Sequence, residues 1–166
     1  MNLIATAACT LAMLLFTSSV QAEARLQSTD QQCAEIRMAT LYLTHVTEFE
    51  PLDICPTIIF QADSPLATGP VADRLLFSTE GTAYFLETGA ILLPVSLDLN
   101  TPEGFGSLLH HLVRVYQFNN GMTQQVTCNA ALTKQAFDVQ ARYLSDNGLA
   151  YEADQVALTG KYRAMC

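Results

Sequence analysis

Basic residues are scarce in this chain: 8 Lys and Arg stand against 16 Asp and Glu, for a formal net charge of −8. An acidic surface repels phosphate, which argues against nucleic acid and anionic membranes as partners. Several catalytic signatures are missing too. There is no C-x-x-C pair of the kind that holds structural zinc, no G-x-S-x-G elbow and no glycine-rich phosphate loop. Ser107 precedes His110 on what reads as one helix, so a Ser-His-Asp triad has no support either. No internal repeat or low-complexity segment interrupts the chain. Charged side chains are wholly absent from the first stretch, MNLIATAACTLAMLLFTSSVQA.

That apolar run, closed by small and polar residues and by Val20-Gln21-Ala22, reads as a secretory signal peptide over 1–22 with cleavage after Ala22. Its start lacks Lys and Arg, so a retained N-terminal anchor is the alternative. Cys9 lies inside the run rather than at the cleavage site, which argues against lipidation. Residues 23–166 then form one domain, periplasmic or secreted, with no membrane contact once the signal is removed. Four cysteines remain in it: Cys33, Cys55, Cys128 and Cys166. An even number in an exported chain implies two disulfides, with three connectivities open. Proximity in sequence favours Cys33–Cys55 and Cys128–Cys166, the second tying down a C-terminus that would otherwise fray.

The patterning predicts an α+β domain. Ser28-Thr29-Asp30 is a capping-box start for a helix running to about Glu50, with Ile36, Leu43, Val46 and Phe49 on its apolar stripe. Residues 57–60 (TIIF) form a short buried strand, and 61–75 read as loop. Residues 82–86 and 90–95 are β-rich around a Glu87-Thr88-Gly89 turn, which predicts an antiparallel hairpin. Its second strand is almost continuously apolar and belongs inside the sheet. Asn100-Thr101-Pro102-Glu103 opens a helix that stops at Asn119-Asn120-Gly121. Another helix runs from about Asn129 to Gly148, with Leu132, Ala136, Val139, Tyr143 and Leu144 inward, and a last piece covers 151–158.

The helix after Thr101 carries SLLHHLVRVYQ, residues 107–117. A zinc-hydrolase helix reads HExxH, because residues four apart lie one above the other and aim two imidazoles at one metal, with a glutamate between them to move a proton. His110 occupies the first position. His111 stands where the glutamate would be, and Arg114 where the second histidine would be. His110 and His111 are about 100° apart around the helix, so they do not converge on one ion without distortion.

The strand pieces Ala83-Tyr84 and Ile91-Leu92-Leu93-Pro94, the helix at 108–117, Cys128, the helix at 136–144 and Cys166 together resemble a pattern found in small exported bacterial domains of unknown function. Those domains look like gluzincin-type zinc metallopeptidases. In that pattern a helix LxHExxHxxQ is followed by ExxAxxxQxxYL. The resemblance implies a metallopeptidase-like helix pair stapled by disulfides, with zinc held by two histidines and by a glutamate at the position of Thr133. Carried over residue by residue, only His110 matches a ligand, and the site His110, His111, Arg114, Thr133 is degenerate. A guanidinium stays protonated and offers no lone pair to a metal, and a threonine hydroxyl replaces a carboxylate poorly. The expectation is therefore a protein without cofactor or assigned catalytic residues, with a binding or structural role and a cleft open to a peptide or protein ligand. The alternative is an active hydrolase that keeps zinc unconventionally or uses His110 or His111 as acid/base. Arg114 is expected to face Thr133 and Asp138 across the helix pair, its charge standing in for the metal. Without the resemblance, His110 reads as a hydrogen-bonded core histidine.

Overall fold

The structure is a computed structural model that describes residues 29–51, 53, 55–61, 75–79, 82–85, 90–128 and 130–165, with the backbone alone at 29, 61, 75–79 and 82–85. The expected signal segment, the Glu87-Thr88-Gly89 turn and Cys166 lie outside the described residues. Helices dominate: α1 (Thr29–Val46) precedes four short strands, β1 (Ile58–Gln61), β2 (Leu75–Thr79), β3 (Thr82–Phe85) and β4 (Ala90–Pro94), followed by α2 (Pro102–Asn119), α3 (Met122–Gln125), α4 (Ala130–Asp146) and α5 (Ala150–Arg163). None of the described helices is long and apolar enough to cross a membrane.

The first helix is shorter than the expected end at Glu50. The Thr47 hydroxyl donates to the Leu43 carbonyl at 2.7 Å and accepts from the Phe49 amide at 3.2 Å. The Phe49 amide is thus capped by a side chain rather than continuing the backbone ladder, while the Leu43 carbonyl also keeps the Thr47 amide at 2.9 Å. At its other end α1 is anchored twice. Cys33 is disulfide-bonded to Cys55, and the buried Gln32 donates to the Pro56 carbonyl at 3.1 Å. Cys128 is also disulfide-bonded, and the expected pairing with Cys166 lies outside the described residues.

The sheet has the order β1-β4-β3-β2. Strand β4 pairs parallel with β1, Ile91 opposite Ile58 and Leu93 opposite Phe60, and antiparallel with β3, Ala83 opposite Leu92. The sheet is therefore mixed, not a hairpin set apart. Flanked on both edges, β4 buries Ala90 through Leu93, which accounts for its unbroken apolar sequence. Strand β2, placed in no element by the sequence, pairs antiparallel with β3.

Helix α2 begins as its sequence requires: the Thr101 hydroxyl accepts from the Gly104 amide at 3.1 Å, and Pro102 opens the first turn. A Cβ at Gly104 would collide with the Asp98 carbonyl, which itself accepts from the Thr101 amide and hydroxyl. At the far end Gly121 takes φ of 67°, a left-handed value that suits glycine. Between these caps α2 is buried continuously from Leu108 to Gln117. Ile36, Ala39 and Leu43 of α1, Ile58 and Phe60 of β1, Ile91 and Leu93 of β4, and Ala136 and Val139 of α4 pack with it in one core. The chain reverses at Gly148 (φ 82°) so that α5 returns along α4, longer than expected and ending at Arg163.

Candidate functional site

A helix buried on all sides must find internal partners for every polar side chain it carries. Helix α2 carries four in its buried stretch, His110, His111, Arg114 and Gln117, and they separate into two groups.

The first group is the imidazole pair. The His110 ring packs edge-on to Phe137 of α4 with centroids 4.4 Å apart, and the two imidazoles lie 5.3 Å apart. Both are among the lining residues of a partly open cavity of about 170 Å³ bordered by α2, α4, α5 and the end of β4. Burial pushes His110 well below the usual histidine value, and His111 and the Arg114 guanidinium push in the same direction, while Gln140 acts against them as a hydrogen-bond partner. Burial and then Arg114 lower His111 to about 4. Both rings are thus neutral at pH 7. The Nδ1 atoms of His110 and His111 are buried and make no hydrogen bond.

The second group is a relay between helices. Arg114 Nη1 donates to Gln117 Oε1 at 2.6 Å, one turn along α2. Gln117 Nε2 then donates to the Leu132 carbonyl at 2.9 Å and to Gln135 Oε1 at 2.8 Å, both on α4. Burial lowers Arg114 to about 10, so it remains a cation at neutral pH. Asp138, expected to face Arg114, is exposed on α4 and paired with Lys134. Thr133 is half-buried on α4, beside the Leu132 whose carbonyl the relay uses. Of the degenerate set, His110 and His111 line the cavity, and neither Arg114 nor Thr133 is among its described lining residues.

Where the resemblance would call for a second histidine and a carboxylate stand the Arg114 guanidinium and the Thr133 hydroxyl, which do not suit zinc, and the His110 imidazole packs against Phe137. Among the described residues no three His, Cys, Asp or Glu side chains gather as a metal site would require. Sequence reasoning assigned no role to Gln117, though its i,i+3 spacing from Arg114 was visible. Arg163, Thr159 and Gln140, which share the cavity wall with the histidines, carry no local sequence signal, because α5 and α4 bring them there only on folding. Comparison of the chain with protein-family models, with curated proteins and with solved structures gives no match.

Proposed function

We propose that this is an exported binding protein on a metallopeptidase-like helix pair whose zinc chemistry has been replaced by hydrogen bonding. The observation that carries the reading is the Arg114–Gln117–α4 relay. Where a metal would join the two helices through ligands, a guanidinium and an amide join them through donors and acceptors. The Cys33–Cys55 disulfide fits an oxidising compartment, periplasmic or secreted.

Metal content of the purified mature chain tests the proposal. The expected result is far below one zinc per chain and no cleavage of generic peptides. About one zinc per chain, with a peptidase activity abolished by chelator, would overturn it. A complementary test rebuilds the ligand set with His111→Glu, Arg114→His and Thr133→Glu together. On a peptidase-like scaffold this variant gains a zinc-dependent rise in Tm by linkage. A Tm indifferent to zinc would remove the resemblance, leaving a binding domain on an unrelated helix pair.

A further inference from the structure

Helix α5 is built inside out. Its inward side, against α4, is small: Ala153 and Gly160 are buried, and a Cβ at Gly160 would run into Phe137. Val156 and Ala157, partly buried, complete that side. The larger side chains point the other way, Tyr151 being 73% exposed, Leu158 45% and Tyr162 69%. At about 100° per residue, positions seven and eleven beyond Tyr151 fall within about 20° of it, so the three form one stripe along the outer face. Met165, just past the helix end, is exposed as well. A helix that covers a monomer's core turns its large apolar residues inward and its polar ones out. Here that arrangement is reversed, and the stripe exposes on the order of 400 Å², the scale at which an apolar patch marks an interaction site.

The charges beside the stripe say what covers it. Asp154 and Lys161 are exposed and lie seven residues apart on one flank of it. On α4 the ion pairs are internal, Lys134 with Asp138 and Arg142 with Asp146 at i,i+4. A separation of two turns is too long for that, so Asp154 and Lys161 do not pair with each other along α5. The helix as a whole is acidic in its first turn, at Glu152, and basic in its last, at Lys161 and Arg163.

A second α5 running antiparallel matches all of this. Two-fold symmetry across such a pair brings each flank against the same flank of its mate. Asp154 then meets Lys161 of the other copy, twice, about an axis that crosses α5 between residues 157 and 158. Leu158 packs on its own counterpart at that axis, and Tyr151 of one copy lies within a turn of Tyr162 of the other. The opposed helix dipoles add to the match. A parallel pair would set Asp154 near Glu152 instead, like charge against like. An anionic membrane surface fits poorly, since the chain carries −8 and acidic residues border the stripe. We infer that α5 is a dimerisation helix, its Tyr151-Leu158-Tyr162 stripe packing antiparallel on the same stripe of a second copy of this chain. One helix pair makes a small interface, so the dimer is of micromolar strength and forms with concentration. The inference is independent of the metallopeptidase-like reading of α2 and α4.

Sedimentation equilibrium of the mature chain, disulfides intact, from about 1 to 200 μM tests it. The weight-average mass should rise from monomer toward dimer over that range. Leu158→Glu, which sets two carboxylates at the axis, should hold the chain monomeric throughout with its helical circular-dichroism signal unchanged. Asp154→Lys and Lys161→Glu should each weaken the dimer roughly tenfold, and the two together should restore it to within roughly threefold of the native chain. A native chain that stays monomeric overturns the inference; if that monomer floats with phosphatidylcholine vesicles, the stripe belongs to a lipid surface instead. A dimer indifferent to Leu158→Glu overturns it too, as does a double reversal that dimerises no better than its single changes.

Discussion

Gln117 has no accessible surface and uses its amide in both directions, accepting from Arg114 and donating twice to α4. Gln117→Leu keeps the volume and removes all three bonds, taking from a buried guanidinium the acceptor at 2.6 Å. The expected cost is about 2–3 kcal/mol in urea unfolding, against about 1 kcal/mol or less for Gln135→Ala, whose site is half-buried. Equal costs would mean that the relay is not what joins the helices. The neighbouring His111 gives a pH dependence of definite sign. Its folded pKa lies near 4, below the ordinary 6.5, so the unfolded chain binds the proton first as pH falls. Stability should therefore drop between about pH 6.5 and 4 and level off below, by roughly 3 kcal/mol from this group. His110 adds to the loss in the same direction. Asp98 is lowered from 3.8 by the Asn100 backbone and side chain, so its contribution is lost only at more acidic pH. Urea midpoints at pH 7.5, 6, 5 and 4 should fall for the native chain and fall markedly less for His111→Gln. Parallel curves would show that the imidazole does not titrate as its burial demands.

Two glycines that face α4, one from α2 and one from α5, make opposite predictions at the scale of elements. A Cβ at Gly160 would sit 2.6 Å from Phe137 Cβ, too close without moving α5 away from α4. A Cβ at Gly106 would meet Gln140 and Leu144 at 3.5 and 3.6 Å, ordinary contact. Gly160→Ala should cost about 1–3 kcal/mol by overpacking, while Gly106→Ala should stabilise by up to about 1 kcal/mol through helix propensity. Chemical denaturation of both variants checks the pair, and a neutral Gly160→Ala would mean that α5 does not press on Phe137. The same glycine lies beyond the expected end of α5 at 158: in sequence a glycine is a weak point in a helix, and the contact with Phe137 shows that it admits a neighbour. Helix α2 was legible at both ends because Thr101-Pro102 and Asn120-Gly121 act on their own backbone. Strand β2 was not, since its strand character comes from pairing with β3 and not from local pattern. The degenerate set was legible as residue types on two helices. Its division into an imidazole cavity and a guanidinium relay was not, because that depends on α5 covering His110 and on Gln117 turning toward α4.

At the scale of the molecule, α1 is the element held most by its tether. Ile36, Ala39 and Leu43 enter the core, and Tyr42 reaches α4, donating to Asp146 at 2.8 Å and stacking edge-on with Tyr143. The α1 side facing away exposes Met38 and Leu41. What fixes the N-terminal half is the Cys33–Cys55 bond, which closes a segment with a sequence separation of 22, and the Gln32 bond to Pro56 beside it. Loop-closure entropy assigns such a cross-link about 3 kcal/mol. The variant Cys33→Ser with Cys55→Ser should lose about that much in global unfolding while leaving the Cys128 disulfide untouched, which a reductant would not. Because the tether acts on α1 and the lead into β1, hydrogen exchange in the variant should accelerate over α1 and residues 55–60. Amides of α2 and α4, joined by their own core and by the Gln117 relay, should keep their protection relative to the new global limit. Uniform acceleration across all helices would instead show that α1 docking and the α2–α4 pair form a single cooperative unit, with the disulfide acting on the whole.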